Sequence, residues 1–175
     1  MPAPQLQSID GAKKAIQDIL EAMSSPESPG FSRYALDPSV SLTHLSRSED
    51  QKSAKVVLKM RINEGMANQL GNLHGGAGAT IVDCATSMVL YLHTSGISGD
   101  PWSYLGVSQS IQMLYFAPTP VGAWVDIEVN SLTVGKSVAA IQCDIWLKDA
   151  EDGKRLRRTT SGTHTKIDNS SQAKM

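Results

Sequence analysis

The sequence predicts an α+β domain in which an antiparallel sheet packs against one buried helix. Two observations support this class. A long stretch after residue 75 is apolar or small on nearly all its faces, and four long β-like runs separated by short turns follow it. The 175 residues are enough for one domain with a sizeable core and too few for two ordinary domains.

The elements follow from hydrophobic spacing, in chain order. Ser8 to Met23 places apolar residues on one helical face, and the segment SSPESPG ends that helix. The alternating runs SVSLTHLS and AKVVLKMRI predict a hairpin. A central helix begins at Gly75 or Gly76, continues for about five turns and stops at Gly96. The last four strands are predicted at LGVSQSIQMLYF, AWVDIEVNSLTV, SVAAIQCDIWL and RLRRTTSGTHTKI.

Composition limits the classes of function. The net charge of −1 gives no basic excess for binding nucleic acid or an anionic membrane. No run approaches the roughly 18 apolar residues of a spanning helix, and the first twenty residues lack the apolar h-region of a secretory signal, so we expect no such signal. We therefore expect an intracellular, cytoplasmic protein with reduced thiols at Cys84 and Cys143. Ala173-Lys174-Met175 resembles a C-terminal peroxisomal targeting signal, so the peroxisome is an alternative location, and the mitochondrion is another.

The stretch NQLGNLHGGAGATIVD, Asn68 to Asp83, carries the candidate chemistry. A helix that begins at Gly75 or Gly76 has first amides without intrahelical acceptors, and glycine lets a ligand oxygen approach them. This is the pattern of an oxyanion hole. A tight entry turn explains the glycines equally well.

Asp83 favours a functional interpretation. It lies among apolar neighbours with no cation near it in sequence, so we expect a buried carboxylate, which is costly unless it is paired or used. A desolvated carboxylate suits a general base, and hydrogen bonding for structure alone is the alternative. Gly75 and Asp83 are separated by about 12 Å along one helix. Either they serve different purposes, or a second copy of the chain supplies Asp83 and the protein is an obligate dimer.

Asn68, the segment GNLHGG (71–76), Asp83 and the GVS ending at Ser108 resemble the motif of hotdog-fold acyl-CoA thioesterases, of the phenylacetate-degradation and thioesterase superfamily member types. The resemblance extends from about Ala54 to Lys166. It implies a sheet wrapped around a central helix, a homodimer that joins two sheets, a homotetramer of such dimers, and a role in fatty acid metabolism. We divide the chain into an N-terminal helix and connector (1–38), the hotdog domain (39–168) and a flexible tail (169–175).

The resemblance also implies residue roles. The Gly75 N–H polarises the thioester carbonyl, the partner subunit's Asp83 is the general base, and Ser108 holds the water or the carboxylate. Asn68 positions nearby groups, and His74 shapes the loop and touches the thioester. The positions implied for coenzyme A are Ser110, Tyr115, Phe116, Pro118, Gly135, Lys136 and Ser137. Coenzyme A is part of the substrate, so no separate cofactor is expected, and the spacing of the histidines predicts no metal.

The substrate and the reaction have alternatives. Four apolar residues suit a tunnel for a fatty acyl chain: Met88, Leu92, Leu105 and Met113. An aryl acyl group is the alternative substrate. The segment ISGDPWSYL is longer than the corresponding family loop, so its aromatic residues are candidates for lining or capping this tunnel. A hotdog dehydratase acting on 3-hydroxyacyl thioesters, with His74 as base, is one alternative. A non-catalytic acyl-CoA binding protein is another.

Overall fold

The computed structural model describes residues 5–171 and contains two α-helices and one six-stranded sheet. In chain order the elements are α1 (Ile9–Ser24), β1 (Ser41–Arg47), β2 (Ala54–Arg61), α2 (Gly75–Val89), β3 (Val107–Tyr115), β4 (Trp124–Val134), β5 (Val138–Lys148) and β6 (Arg155–Ile167). All neighbouring strands are antiparallel, and α2 packs against the sheet. The α+β prediction is confirmed, and the arrangement is the hotdog fold. The C-terminal tripeptide lies outside the described residues.

The sheet order is β1-β2-β4-β5-β6-β3, so β3 does not pair with the strand that follows it. The predicted antiparallel sheet is confirmed, and its strand order differs from the order along the chain at this point. The connector after β3 bonds instead to the loop before α2: Thr119 accepts from the Leu73 amide, and the Val121 amide donates to Gly71. As a result β3 pairs with β6 alone and forms an edge of the sheet.

Helix α2 lies close against the sheet because one position on β6 is glycine. A Cβ on Gly162 would lie 2.8 Å from a Val82 methyl group, closer than real side chains approach. The helix ends at Val89, earlier than predicted, and a 3₁₀ turn continues to Leu92. The stretch Gly75–Leu92 is long and apolar enough by composition to cross a membrane, contrary to the expectation from apolar runs, and half of it is buried in this core.

One stripe of α2 is not covered by its own chain, contrary to the prediction of burial almost all round. Thr80, Asp83 and Ser87 recur at helical spacing and are only half-buried. The opposite side, with Ile81 and Val82, is fully buried. The helix therefore has a polar face that the sheet of its own chain does not cover.

The N-terminal helix belongs to the same hydrophobic core as the rest of the chain. The side chains of Ala12, Ile16 and Leu20 are buried in the main core cluster. Helix α1 packs against β1, the other edge of the sheet. Ser8 caps the helix by accepting from the Gly11 amide. The opposite edge is β3, which has nine residues in strand conformation, pairs with β6 and has no element of the described chain paired with its outer side.

Candidate active site

The first turn of α2 presents a free backbone donor. The helix begins at Gly75, and His74 caps it, its Nδ1 accepting from the Gly76 amide at 2.9 Å. The Gly75 N–H has no acceptor between residues 5 and 171. The helix start therefore offers one unpaired donor together with the positive end of the helix dipole.

Asn68 organises the loop before this helix. Its Oδ1 accepts from the amides of Leu70 and Asn72, at 2.9 and 3.2 Å. These contacts assign the orientation of the amide, and they leave Nδ2 without an acceptor in the described chain. A side-chain donor is thus available in the neighbourhood of the Gly75 N–H.

A cleft of about 440 Å³ is lined by five of the residues predicted for the site: Asn68, Gly75, Tyr115, Phe116 and Pro118. The Tyr115 hydroxyl donates to the Gly75 carbonyl at 2.7 Å, which ties the end of β3 to the start of α2. The sequence motif and the end of β3 therefore lie at one cleft.

Asp83 and Ser108 meet at a second place, near the start of β3. The Ser108 hydroxyl donates to Asp83 Oδ1 at 3.1 Å. A β-bulge between Ser108 and Ser110 turns Ser108 toward the helix, and Ile111 and Met113 then continue on that face. Strand alternation after the bulge places Ser110 on the opposite face of the sheet.

The expectation that Asp83 is buried is wrong for the single chain. Its side chain is 46% exposed, because it lies on the uncovered stripe of α2. Apolar neighbours in sequence do not bury a helical residue when they point to the other side of the helix. A desolvated carboxylate here would require a second molecule to cover it.

Sequence reasoning missed two buried residues beneath Asp83. His164 Nε2 lies 3.7 Å from Asp83 Oδ1, and Lys166, 4% exposed, donates to the Ser87 hydroxyl at 2.7 Å. Burial lowers the pKa of His164 to about 4; Lys166 lowers it further and Asp83 opposes the shift. Burial also lowers the pKa of Lys166, against the effect of Asp83. The period-two pattern of GTHTK was the available signal, since it puts both side chains on one face of a strand.

Two other groups near this site, a thiol and the capping histidine, are unsuited to act as nucleophile or base. Burial raises the pKa of the Cys84 thiol to about 12, so it is a protonated, unreactive group at neutral pH. His74 uses Nδ1 to accept from the Gly76 amide, which in the neutral ring leaves the proton on Nε2. The histidine therefore lacks a free basic nitrogen, which a dehydratase would require.

The remaining positions predicted for coenzyme A lie elsewhere. Gly135, Lys136 and Ser137 form the turn between β4 and β5, and Val138 pairs with Ile167, opposite Val107 at the start of β3. Tyr115 at the end of β3 is about 26 Å away along the strand. A single chain does not bring the turn and the cleft to one ligand.

The residues predicted to line an acyl tunnel fall into two groups. Met88 and Leu92 are buried in the core, and Leu105 and Met113 pack against it. Trp102 is 1% exposed and donates its indole N–H to the Gly135 carbonyl, so it is a core residue.

A second cleft, of about 340 Å³, lies on the other side of the α2 N-terminus. His74 and Gly76 line it, together with Met66 and two exposed aromatic residues of the N-terminal connector, Phe31 and Tyr34. Its lining is predominantly apolar. The free Gly75 amide thus lies between two clefts.

The hotdog fold with a free amide at the helix start and a carboxylate further along the helix defines the class: the chain belongs to the thioesterase superfamily and is a thioester hydrolase. The Thioesterase superfamily model matches residues 70–154. The chain is 32% identical over 112 residues to acyl-coenzyme A thioesterase 13 of Mus musculus, covering 64% of this chain and 71% of that protein. The Homo sapiens protein of the same name matches to the same extent.

Solved structures agree with this family. Thioesterase superfamily member 2 of zebra fish superposes with a TM-score of 0.69 at 28% identity, covering 89% of this chain and 96% of that chain. The member 2 structure from Mus musculus gives 0.67 at 25% identity, covering 93% and 98%. Both likenesses extend well beyond the segment that the family model matches, into the N-terminal part of the chain.

Proposed function

We propose that this protein hydrolyses acyl-coenzyme A thioesters to a free acid and coenzyme A, at two equivalent sites between the protomers of a homodimer. The observation that carries the proposal is the position of the two half-sites on β3. Tyr115 at the end of the strand holds Gly75, and Ser108 at its start holds Asp83. The strand pairs with β6 on one side and has no strand on its outer side in the described chain.

Antiparallel pairing of two β3 strands places the start of one beside the end of the other. Each Gly75 amide then approaches the partner subunit's Asp83, and a two-fold axis generates a second, identical site. The same pairing covers an exposed strand edge, which would otherwise invite aggregation. It also brings the uncovered stripes of the two α2 helices toward one another, which supplies the cover that Asp83 lacks. Association of two such dimers into a tetramer stays a prediction.

The chemical roles follow from this arrangement. The Gly75 N–H donates to the thioester carbonyl oxygen, where negative charge develops as water attacks the carbon. The partner subunit's Asp83 accepts a proton from that water. When the tetrahedral intermediate collapses, the C–S bond breaks and the sulfur leaves as thiolate or thiol. The products are the carboxylic acid and coenzyme A, and no redox step is involved.

The cleft beside Gly75 suits the coenzyme A arm. Phe116 and Pro118 line it, and the guanidinium of Arg158 lies 4.9 Å from the Phe116 ring centroid. Arg158 and Arg157 lie on a part of β6 that extends past the end of β3, where their charges can meet phosphates. In the dimer, the partner's turn at Lys136 lies near this end of β3 and adds another cation.

The apolar cleft suits the acyl arm. The two arms of a thioester diverge from its carbonyl carbon, and the two clefts diverge from the Gly75 amide in the same way. Phe31 and Tyr34 are 71% and 54% exposed, and their ring centroids lie 5.9 Å apart, so together they form an exposed apolar patch. A fatty or aryl group placed against them would cover this apolar surface.

Subunit complementation tests the proposal. Gly75→Pro removes the amide donor at the first helical position, where proline is tolerated, and Asp83→Asn removes the base. Each variant alone should fail to release free thiol from a panel of acyl-CoA esters. If the two are refolded together, about half of the dimers are mixed, and one site in each mixed dimer contains both native groups. About a quarter of the wild-type activity should return.

The outcomes separate the alternatives. No recovery would place both groups in one chain or remove one of them from the mechanism. Formation of an enoyl product without thiol release would favour the dehydratase. Tight acyl-CoA binding without turnover, unaffected by Asp83→Asn, would favour the non-catalytic binder.

A further inference from the structure

His164 and Lys166 lie on β6 directly behind the candidate base and have no role in the mechanism described so far. The His164 side chain is fully buried, and its Nε2 has no hydrogen-bond partner between residues 5 and 171. A buried polar atom without a partner is costly, so its retention calls for an explanation. The polar atom nearest in the described contacts is Asp83 Oδ1, at 3.7 Å.

The two carboxylate oxygens of Asp83 have different surroundings. Oδ1 accepts from the Ser108 hydroxyl and faces the His164 ring. Oδ2 has no hydrogen bond to any described residue. Contacts that hold one oxygen leave the other available to a water molecule.

The state of the His164 ring agrees with a donor role. Burial lowers its pKa to about 4, so the ring is neutral near pH 7 and carries one N–H. The Thr86 hydroxyl lies within hydrogen-bond distance of Nδ1 and also 2.7 Å from the Val82 carbonyl, and its single proton can serve only one of them. The donor role requires the tautomer in which Thr86 donates to Nδ1. When Thr86 donates there, the ring proton is on Nε2, the nitrogen nearest Asp83.

Lys166 supplies the charge that this buried region requires. Its ammonium group donates to the Ser87 hydroxyl, and that hydroxyl donates to the Asp83 main-chain carbonyl at 3.1 Å. An isolated buried cation is strongly unfavourable, and Asp83 is the principal acid that acts on it. The titratable groups that respond to Asp83 are Cys84 on α2 and His164 and Lys166 on β6; β3 contributes the neutral Ser108 hydroxyl.

We propose that His164 and Lys166 are positioning residues for the general base. His164 restrains Oδ1, and Lys166 compensates the negative charge, so that Oδ2 is held toward the reacting water. This inference rests on the proposed role of Asp83 and extends it to a buried pair that does not contact the substrate. A purely structural pair would affect folding but would not change how the base responds to pH.

The experiment compares three variants of the full chain: Lys166→Met, His164→Gln and His164→Leu. For each, kcat, KM, the pH profile of kcat/KM and the thermal unfolding midpoint are measured with one acyl-CoA ester. In Lys166→Met the acid limb of kcat/KM should move to higher pH, because a nearby cation favours the anionic form of a carboxylate. His164→Leu should lower kcat about ten- to hundred-fold with little change in KM. His164→Gln retains a donor and should recover much of that loss.

Thr165→Val is the matched control, because Thr165 lies between the pair and faces the other side of β6. It should leave kcat and the acid limb unchanged. If Lys166→Met does not fold, Lys166→Arg keeps the charge and should keep the wild-type acid limb. An unmoved acid limb in Lys166→Met, or one moved equally in Lys166→Arg, would overturn the inference.

Results that exclude the proposed thioesterase function differ from results that exclude only the positioning role. A wild-type protein that releases no thiol, or an Asp83→Asn variant with normal turnover, would remove the base itself. If the wild-type protein is active, Asp83→Asn is inactive and the His164 and Lys166 variants behave like the wild type, only the positioning role is excluded.

Discussion

The Tyr115 hydroxyl donates a 2.7 Å hydrogen bond to the Gly75 carbonyl, and this contact joins the last residue of β3 to the first residue of α2. At the other end of the strand, Ser108 is bonded to Asp83. Helix and strand therefore run antiparallel, with the amide donor and the carboxylate at opposite ends. This separation is the reason for placing the complete site between two protomers.

Removal of the Gly75 N–H should abolish most of the activity while the helix stays intact. His74 has φ −66° and ψ 138°, a conformation allowed before proline, so Gly75→Pro deletes the donor without breaking α2. We expect kcat to fall about 100- to 1,000-fold. Gly75→Ala keeps the N–H, and its Cβ would meet Tyr115 at an ordinary 3.5 Å, so it should retain activity within a few-fold. Equal losses in both variants would argue for a steric effect.

Asp83→Asn should reduce turnover far more than apparent affinity, because a general base acts mainly in the transition state. The expected fall in kcat is about 100- to 10,000-fold, with KM changed by less than about three-fold. Steady-state kinetics with a thiol reagent measures both. Asp18→Asn is the control, since Asp18 is an exposed helical acid that pairs with Lys14. Normal turnover in Asp83→Asn would exclude it as the base.

Phe31→Ala should change the preference for acyl-chain length. Each buried methylene contributes about 0.8 kcal/mol, so losing an apolar wall should reduce kcat/KM for long chains more than for short ones. We expect the ratio of kcat/KM for a long-chain to a short-chain ester to fall at least about ten-fold. Tyr104→Ala provides the comparison, because Tyr104 is an exposed aromatic residue bonded to Ser98 in the longer loop. A changed ratio in Tyr104→Ala alone would move the acyl arm to that loop.

Stability should decrease below about pH 6.5 because His93 is buried in its neutral form. Burial is the main cause that lowers the pKa of His93 to about 4, and the nearby Arg47 charge is the second. Ser131 lies within hydrogen-bond distance of His93 Nε2, and Lys136 lines the adjoining pocket. The folded pKa lies below the unfolded value of about 6.5. The contribution of neutral His93 to the free energy of unfolding is therefore complete above about pH 6.5 and is lost as the pH falls toward 4. The expected loss is about 1 to 2 kcal/mol at pH 5.

Urea unfolding at about pH 7 and pH 5 measures this loss. In His93→Gln the difference between the two pH values should be smaller, because the variant has no group to protonate there. His44→Gln is the control, since His44 is exposed on β1. An undiminished difference in His93→Gln would assign the pH dependence to other groups, of which buried His164 is the first candidate.

Local patterns predicted most of the elements correctly. The bounds of α1 and of the strands lie close to the predicted runs, because apolar spacing at 3.6 or 2 residues reports directly which face meets the core. Ser108 donates to Asp83 because a bulge in β3 turns it toward the helix, and its role in catalysis stays a prediction. The pairing of β3 with β6 was not predictable, since it depends on bonds between the connector and the loop before α2.

The sequence by itself determined the α+β class, the unpaired amides at the start of α2 and the distance that separates Gly75 from Asp83, because helix geometry and hydrophobic period are properties of short segments. Only the tertiary structure decided that β3 is an edge, that Asp83 faces outward and that His164 and Lys166 lie behind it. These relationships join residues that are distant along the chain. Their contacts form only when the whole sheet packs against α2, and spacing within one segment does not encode them.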